Sequence, residues 1–274
     1  MGQFEVQEAN KCKTSPEGMV NTQAEAPKTY KVNPREILIQ VLHRPQEAIH
    51  SGLIDSSYTW VDHGCGFQRI QDQFNGWIHV SRNWQTRLFM ERKEFKFLLI
   101  LDADEGVPWY VPYALAEWDL PIVSGMVCGF TAERGIFACV AVKGPDGKAR
   151  FPNVRGTKTV PLKGIQEVHN AGTGALMVRR DVLEAMWGRY DKDKSFGQPF
   201  GIPQKEQEQA ALQGAMPRGE DICFTDRARA LGFKSYVDWS CKIQHFKNFN
   251  LEWPADCIVD IDPKRWAKMV WPKK

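Results

Sequence analysis

Large apolar residues along this chain come in short unbroken runs between polar stretches. The clearest run lies within Phe95-Lys-Phe-Leu-Leu-Ile-Leu-Asp-Ala-Asp-Glu105, where it stops at Asp102-Ala103-Asp104. It is too short to cross a membrane and too continuous for a strand with one wet face. It reads as a strand buried on both faces, as in the middle of a parallel sheet. Ile37 to Leu42 repeats the pattern, and Ile122 to Val127, Ile136 to Val142 and Ala175 to Val178 are further strands. Gly144-Pro145-Asp146-Gly147 has hairpin-turn chemistry. Tyr58 to Val61 reads as a short strand followed by a turn at His63-Gly64-Cys65-Gly66, and Lys234 to Val237 as a strand continued by Cys241 to His245. Helical stretches are expected at Gln46 to Gly52, Trp77 to Glu94, Pro108 to Trp118, Val182 to Arg189 capped by Asp181, Lys205 to Leu212, and Glu220 to Leu231 closed by Gly232. Strands alternating with helices predict an α/β fold: a Rossmann-like, mostly parallel mixed sheet flanked by helices. We expect one domain over residues 34–250, with halves 34–127 and 128–250.

Candidate chemistry gathers at the strand ends, where open parallel sheets bind ligands. Residues i and i+2 of a strand point the same way, so Asp102 and Asp104 repel each other unless a cation lies between them. A divalent metal holding a diphosphate answers that need. The loop His43-Arg44-Pro45 after the first strand is placed to touch a nucleotide. Arg82, on a helix, reads either as a solvated position or as a bidentate phosphate contact. Gly172-Thr173-Gly174 is a backbone-permissive turn. Glu220 and Asp221 suit the first turn of their helix by capping and dipole alone. The long polar segment Tyr190 to Gly219 in front of them reads as a lid.

The chain has 274 residues, 43% of them hydrophobic and 25% charged, enough for a packed core. A net charge of +3 does not by itself imply a nucleic-acid partner. Seven cysteines without a close pair argue against a disulfide scaffold or zinc finger and for a reducing compartment. The absence of a long apolar run and of a secretory signal points to a soluble, cytoplasmic protein. Residues 1–33 form a polar extension with four acids and four lysines. Six basic residues against one acid between Lys143 and Lys163 read as a solvated hairpin or a basic flap. Residues 251–274 end in a basic tail containing Trp266 and Trp271.

The succession of Arg82-Asn83 on a helix, an apolar strand ending Asp102-Ala103-Asp104, the Gly172-Thr173-Gly174 turn, the helix opened by Gly219-Glu220-Asp221, and a strand ending in His245 resembles the nucleotide-sugar glycosyltransferases of the GT-A fold, of the large family-two type. It covers roughly residues 35–247. The resemblance implies that Asp102 and Asp104 bind Mn²⁺ (or Mg²⁺) and the sugar-diphosphate, with His245 completing the metal shell. It implies that Gly172, Thr173 and Gly174 line the sugar pocket, and that His43, Arg44 and Pro45 stand where the nucleobase is held. Arg82 and Ala103 join the donor side. Glu220-Asp221 matches the acceptor-side acid pair, with Asp221 the preferred general base of an inverting reaction. The family's usual Pro-Thr-Tyr-Asn-like start is absent, and so is the Gln-x-x-Arg-Trp signature of processive members, which favours single sugar transfer. A UDP-sugar is the expected donor. Two acceptor classes stay open. One is a glycan or small molecule. The other is DNA with hydroxymethylated pyrimidines, on which similar soluble bacteriophage transferases act in the host cytoplasm; the basic segments fit it. A nucleotidyltransferase-like enzyme is the rival class, but no glycine follows the first strand until Gly52.

Overall fold

The computed structural model describes residues 30–44, 48–72, 78–131, 135–143, 146–152, 164–213 and 218–246. In chain order the elements are β1 (Ile37–His43), α1 (Ser51–Asp62), β2 (Gly66–Gln71), α2 (Ile78–Glu91), β3 (Phe97–Asp102), β4 (Glu105–Gly106), α3 (Val111–Glu117), β5 (Ile122–Thr131), β6 (Gly135–Ala138), β7 (Val140–Lys143), β8 (Ala149–Arg150), β9 (Ile165–Val168), β10 (Asn170–Ala171), β11 (Ala175–Arg179), α4 (Arg180–Lys192), α5 (Gln204–Leu212), α6 (Glu220–Ala230) and β12 (Ser235–His245). The central strands run β2-β1-β3-β11-β5-β12. β2, β1 and β3 are mutually parallel, β12 is parallel to β5, and β11 lies antiparallel between β3 and β5. β4 extends this sheet beyond β12, and β10, β7 and β8 form a separate small sheet.

The period-2 alternation of the apolar runs builds two cores. Ile37, Ile39, Val41, Phe97, Leu99 and Leu101 face one layer, packed with Leu53 and Trp60 of α1 and Tyr113 and Leu115 of α3. Leu38, Leu98, Ile100, Leu176 and Val178 face the other, against Phe89, Leu183, Met186, Trp187 and Phe224 of α2, α4 and α6. Both faces of β1 and β3 are therefore buried, as continuous apolar strands require. No helix among the described residues is long and apolar enough to cross a membrane.

Several local expectations are corrected. Tyr58 to Val61 belongs to α1 rather than to a strand: Leu53 and Trp60, two helical turns apart, are buried, while Ile54, Tyr58 and Val61 are exposed. The helix expected at Gln46 to Gly52 starts only at Ser51, with the His50 ring accepting from the Gly52 N–H at 3.1 Å. The edge strand β2 went unseen because its alternation is weak and only Ile70 is fully buried. Ile136 to Val142 divides at Cys139 into β6, which pairs with β5, and β7, which pairs with β10. Asp181 does not cap α4. The helix begins at Arg180, and the Asp181 carboxylate accepts from the Arg179 guanidinium at 2.8 and 2.9 Å. Gly144 and Pro145 of the expected hairpin, most of the basic segment to Lys163, the extension up to residue 29 and the tail with Trp266 and Trp271 lie outside the described residues.

Candidate active site

β1 pairs with β2 on one side and β3 on the other, so the chain reverses its order of laying strands there and opens a crevice at their carboxyl ends. His43 ends β1, its Nδ1 3.1 Å from the Arg44 carbonyl oxygen; Arg44 is exposed and Pro45 lies outside the described residues. Asp102 ends β3, across from Leu42. Three backbone bonds pin the turn that follows. Ala103 N–H donates to the Leu42 carbonyl at 3.1 Å, the Ala103 carbonyl accepts from His50 N–H at 2.9 Å, and the Asp104 carbonyl accepts from Phe246 N–H at 2.8 Å. His50 stacks on Phe246 at 3.6 Å between centroids, and burial pushes its pKa down. Ala103 is buried in the core, so it serves the turn through its backbone.

The site's histidine arrives from far along the chain. β12 runs beside β5 in register as far as Asp238, breaks, and resumes at Lys242. Gly125 sits at that break, where a side chain would meet Ile243 and the Cys241 carbonyl. The displaced strand end then pairs with β4, bringing His245 opposite Glu105. His245 Nε2 lies 3.3 Å from Asp104 Oδ2, while Nδ1 is 2.7 Å from the Cys128 carbonyl oxygen. A carbonyl only accepts, so Nδ1 carries the hydrogen and Nε2 turns toward the carboxylate. A second interaction fixing the ring in this way is the usual setting of a metal-binding histidine. Two ligands at right angles around a hard cation at ~2.1 Å stand about 3 Å apart, close to the observed pair. Among the described residues no three His, Cys, Asp or Glu side chains are gathered to hold a metal. Asp104 and His245 could hold between them a divalent ion that takes its further oxygens from phosphates and water.

Asp102 is engaged elsewhere. Its Oδ1 accepts from Arg82 Nη2 at 2.5 Å, and Arg82 Nε lies 3.8 Å from Glu220 Oε1. Arg82, a candidate diphosphate contact by sequence, is completely buried. Burial opposes its charge, but Asp102 and Glu220 outweigh that and hold its pKa above the ordinary value. Glu105, beside them and 1% exposed, was missed as a site residue, although it stands in the same acidic strand end. Burial, then Asp102 and Asp104, push its carboxyl well above the usual range. Its oxygens have no well-formed side-chain partner among the described residues, only weak help from the Asp102 backbone. A side chain at Gly174 would overlap the Glu105 carboxylate, and one at Gly172 would stand 2.7 Å from the Cys139 carbonyl oxygen. Both glycines are required by close approach.

The turn containing them meets α6. Thr173 Oγ1 donates to Glu220 Oε1 at 3.5 Å, and Asp102 N–H points to the Gly174 carbonyl at 3.4 Å. Asp221 is pushed up to about 6, first by burial and then by Glu220. The segment read as a lid, Tyr190 to Gly219, opens inside α4, which runs to Lys192, and then carries a tight turn at Lys194–Phe196 and α5. Phe200 stacks on Phe224 at 4.3 Å, Asn83 Oδ1 accepts from Phe200 N–H at 2.9 Å, and Arg227 Nε donates to the Phe196 carbonyl at 2.8 Å.

No protein-family model matches the chain, and neither does any curated protein. Solved structures do. "Crystal Structure of A197 from STIV" is 17% identical over 78% of this chain and 86% of that one, with a TM-score of 0.46. "Crystal structure of GalNAc-T7 with UDP, GalNAc and Mn2+" is 10% identical over 77% of this chain and 44% of that one, at 0.43. "Crystal structure of a glycosyltransferase involved in the glycosylation of the major capsid of PBCV-1" is 14% identical over 74% of this chain and 91% of that one, at 0.32. This chain spans less than half the length of the second of these.

Proposed function

We propose that this chain transfers one sugar from a nucleotide-diphosphate sugar, a UDP-sugar foremost, to a hydroxyl of a glycan or small molecule. The observation that carries this reading is the Asp104–His245 pair, held 3.3 Å apart at the carboxyl ends of the strands by the bend in β12. Asp102, Glu105, Glu220 and Asp221 lie within electrostatic reach of the buried Arg82, with Asp104 beside Glu105, and this excess of acids would repel a bare diphosphate. Mn²⁺ or Mg²⁺ on Asp104 and His245, with Asp102 beside them, would supply Lewis-acid stabilisation of the leaving diphosphate.

The remaining work falls to the chain's own groups. Asp221 takes the proton of the acceptor hydroxyl. A carboxylate near 6 is a stronger base than an ordinary one and is still ionised at neutral pH. That role suits an inverting reaction. Glu220, drawn toward Arg82 and Thr173, orients rather than accepts the proton. Gly172 and Gly174 let the turn on the sugar side pack against Cys139 and Glu105, and His43 and Arg44 flank the nucleoside side. Incubation with a panel of nucleotide-sugars and Mn²⁺, following slow donor hydrolysis, tests the reading; turnover that persists with all metal chelated overturns the metal part.

A further inference from the structure

We propose that Arg82 is a positioning residue: its buried guanidinium ties the strand-end acid Asp102 to the helix acid Glu220 and so sets the two sides of the site against each other. An arginine normally leaves its head in water and buries only its stem. Arg82 is 0% exposed, so its charge is sustained by partners alone. One planar fork serves both: Nη2 bonds Asp102 at 2.5 Å, and Nε faces Glu220 at 3.8 Å. Neither Nε nor Nη1 forms a hydrogen bond among the described residues. No N–H of Arg82 is presented to the crevice, as a phosphate-binding arginine would require. Glu220 also accepts from Thr173, and the Gly174 carbonyl lies toward the Asp102 N–H. Asp102, Arg82, Glu220, Thr173 and Gly174 therefore close a ring of contacts across α2, α6, the glycine turn and the end of β3. A lysine at 82 keeps the charge but, as a single point, does not span both acids.

The catalytic part of this inference rests on the transferase reading; the coupling does not. Melting temperatures of the wild type, Asp102→Asn, Glu220→Gln and the double variant decide the coupling. Each single variant leaves Arg82 one of its two nearest acids, and the double variant strips both, with Glu105 acting on it only from further away. We expect the double variant to lose more than the sum of the single losses. Additive losses overturn the proposal without touching the transferase reading. For Arg82→Lys in the full chain we expect kcat to fall about 100-fold, with donor KM changed only a few-fold, the signature of misplacement by an ångström or so. A rise in donor KM as the main effect would make Arg82 a diphosphate contact and overturn the inference. A wild type without transfer activity defeats the transferase reading and leaves the melting comparison to decide the role of Arg82; that comparison also stands if Arg82→Lys fails to fold.

Discussion

The strand-end side and the helix side of the site are built by opposite means. Asp102, Asp104 and Glu105 fall within four consecutive positions, and backbone bonds from β1, the α1 cap and the end of β12 hold their turn. Behind them stand strands buried on both faces. On the helix side, Glu220 and Asp221 open α6 after Gly219, which makes no side-chain cap bond. What surrounds them is held by side chains: Asn83, Arg227 and the Phe200–Phe224 stack tie the preceding segment down. Backbone ladders in a sheet open near the global stability, whereas segments fixed by a few side-chain contacts open at lower cost. On the proposed reading, donor chemistry sits on the rigid part and acceptor access on the part that opens.

Four changes would break or sharpen that contrast. The largest effect is expected from Asp104→Ala. Transfer should fall ~10³-fold or more, with melting little changed because the pinning bonds belong to the backbone. Unchanged transfer, measured by product formation, would remove the strand-end side from the chemistry. Asp221→Asn should lower kcat ~10²–10⁴-fold while donor KM holds. The wild-type kcat should lose activity below about pH 6, and the variant's residual rate should lack that limb. Equal losses in kcat and donor binding would count against Asp221 as the base.

The same aspartate makes a stability prediction of opposite sign. Its folded pKa lies above the unfolded value of 3.8, so ionisation costs stability as pH rises from about 4 to about 6. Asp221→Asn should therefore be more stable than the wild type at pH 7–8, by ~1–3 kcal/mol, with the gap closing below pH 4 in denaturant titrations. Gly174→Ala forces a methyl into Glu105 and should cost ~1–3 kcal/mol by thermal melting. A neutral result would mean that the Glu105 carboxylate moves aside freely. Asn83→Ala leaves the buried Phe200 N–H without its partner and should cost about 1 kcal/mol or more globally. Its sharper readout is proteolysis: cleavage near Phe200 should quicken while the strand-end turn stays protected. Equal protection of both would erase the contrast.

The two sides also differed in how far the sequence revealed them. Continuous apolar runs alternate faces automatically once both faces are covered. The burial of β1 and β3, the α/β class and the acids at a strand end therefore followed from local pattern. Tyr58 to Val61 misled because a four-residue window cannot tell a strand from one turn of an amphipathic helix, and β2 escaped because an edge strand needs little apolar alternation.

What only tertiary structure decided are contacts between residues distant in sequence. A register break in β12 carried His245 to Asp104. An arginine expected to meet phosphate turned inward, because α2 packs so that its side chain falls between Asp102 and Glu220. Glu105, one more acid in a run of acids by sequence, became the most buried of them because Gly174 leaves room for it. Local sequence specifies periodicity and turn chemistry, since those depend on neighbours along the chain. Which charges share a partner, and which are left without one, depends on how the layers close over them.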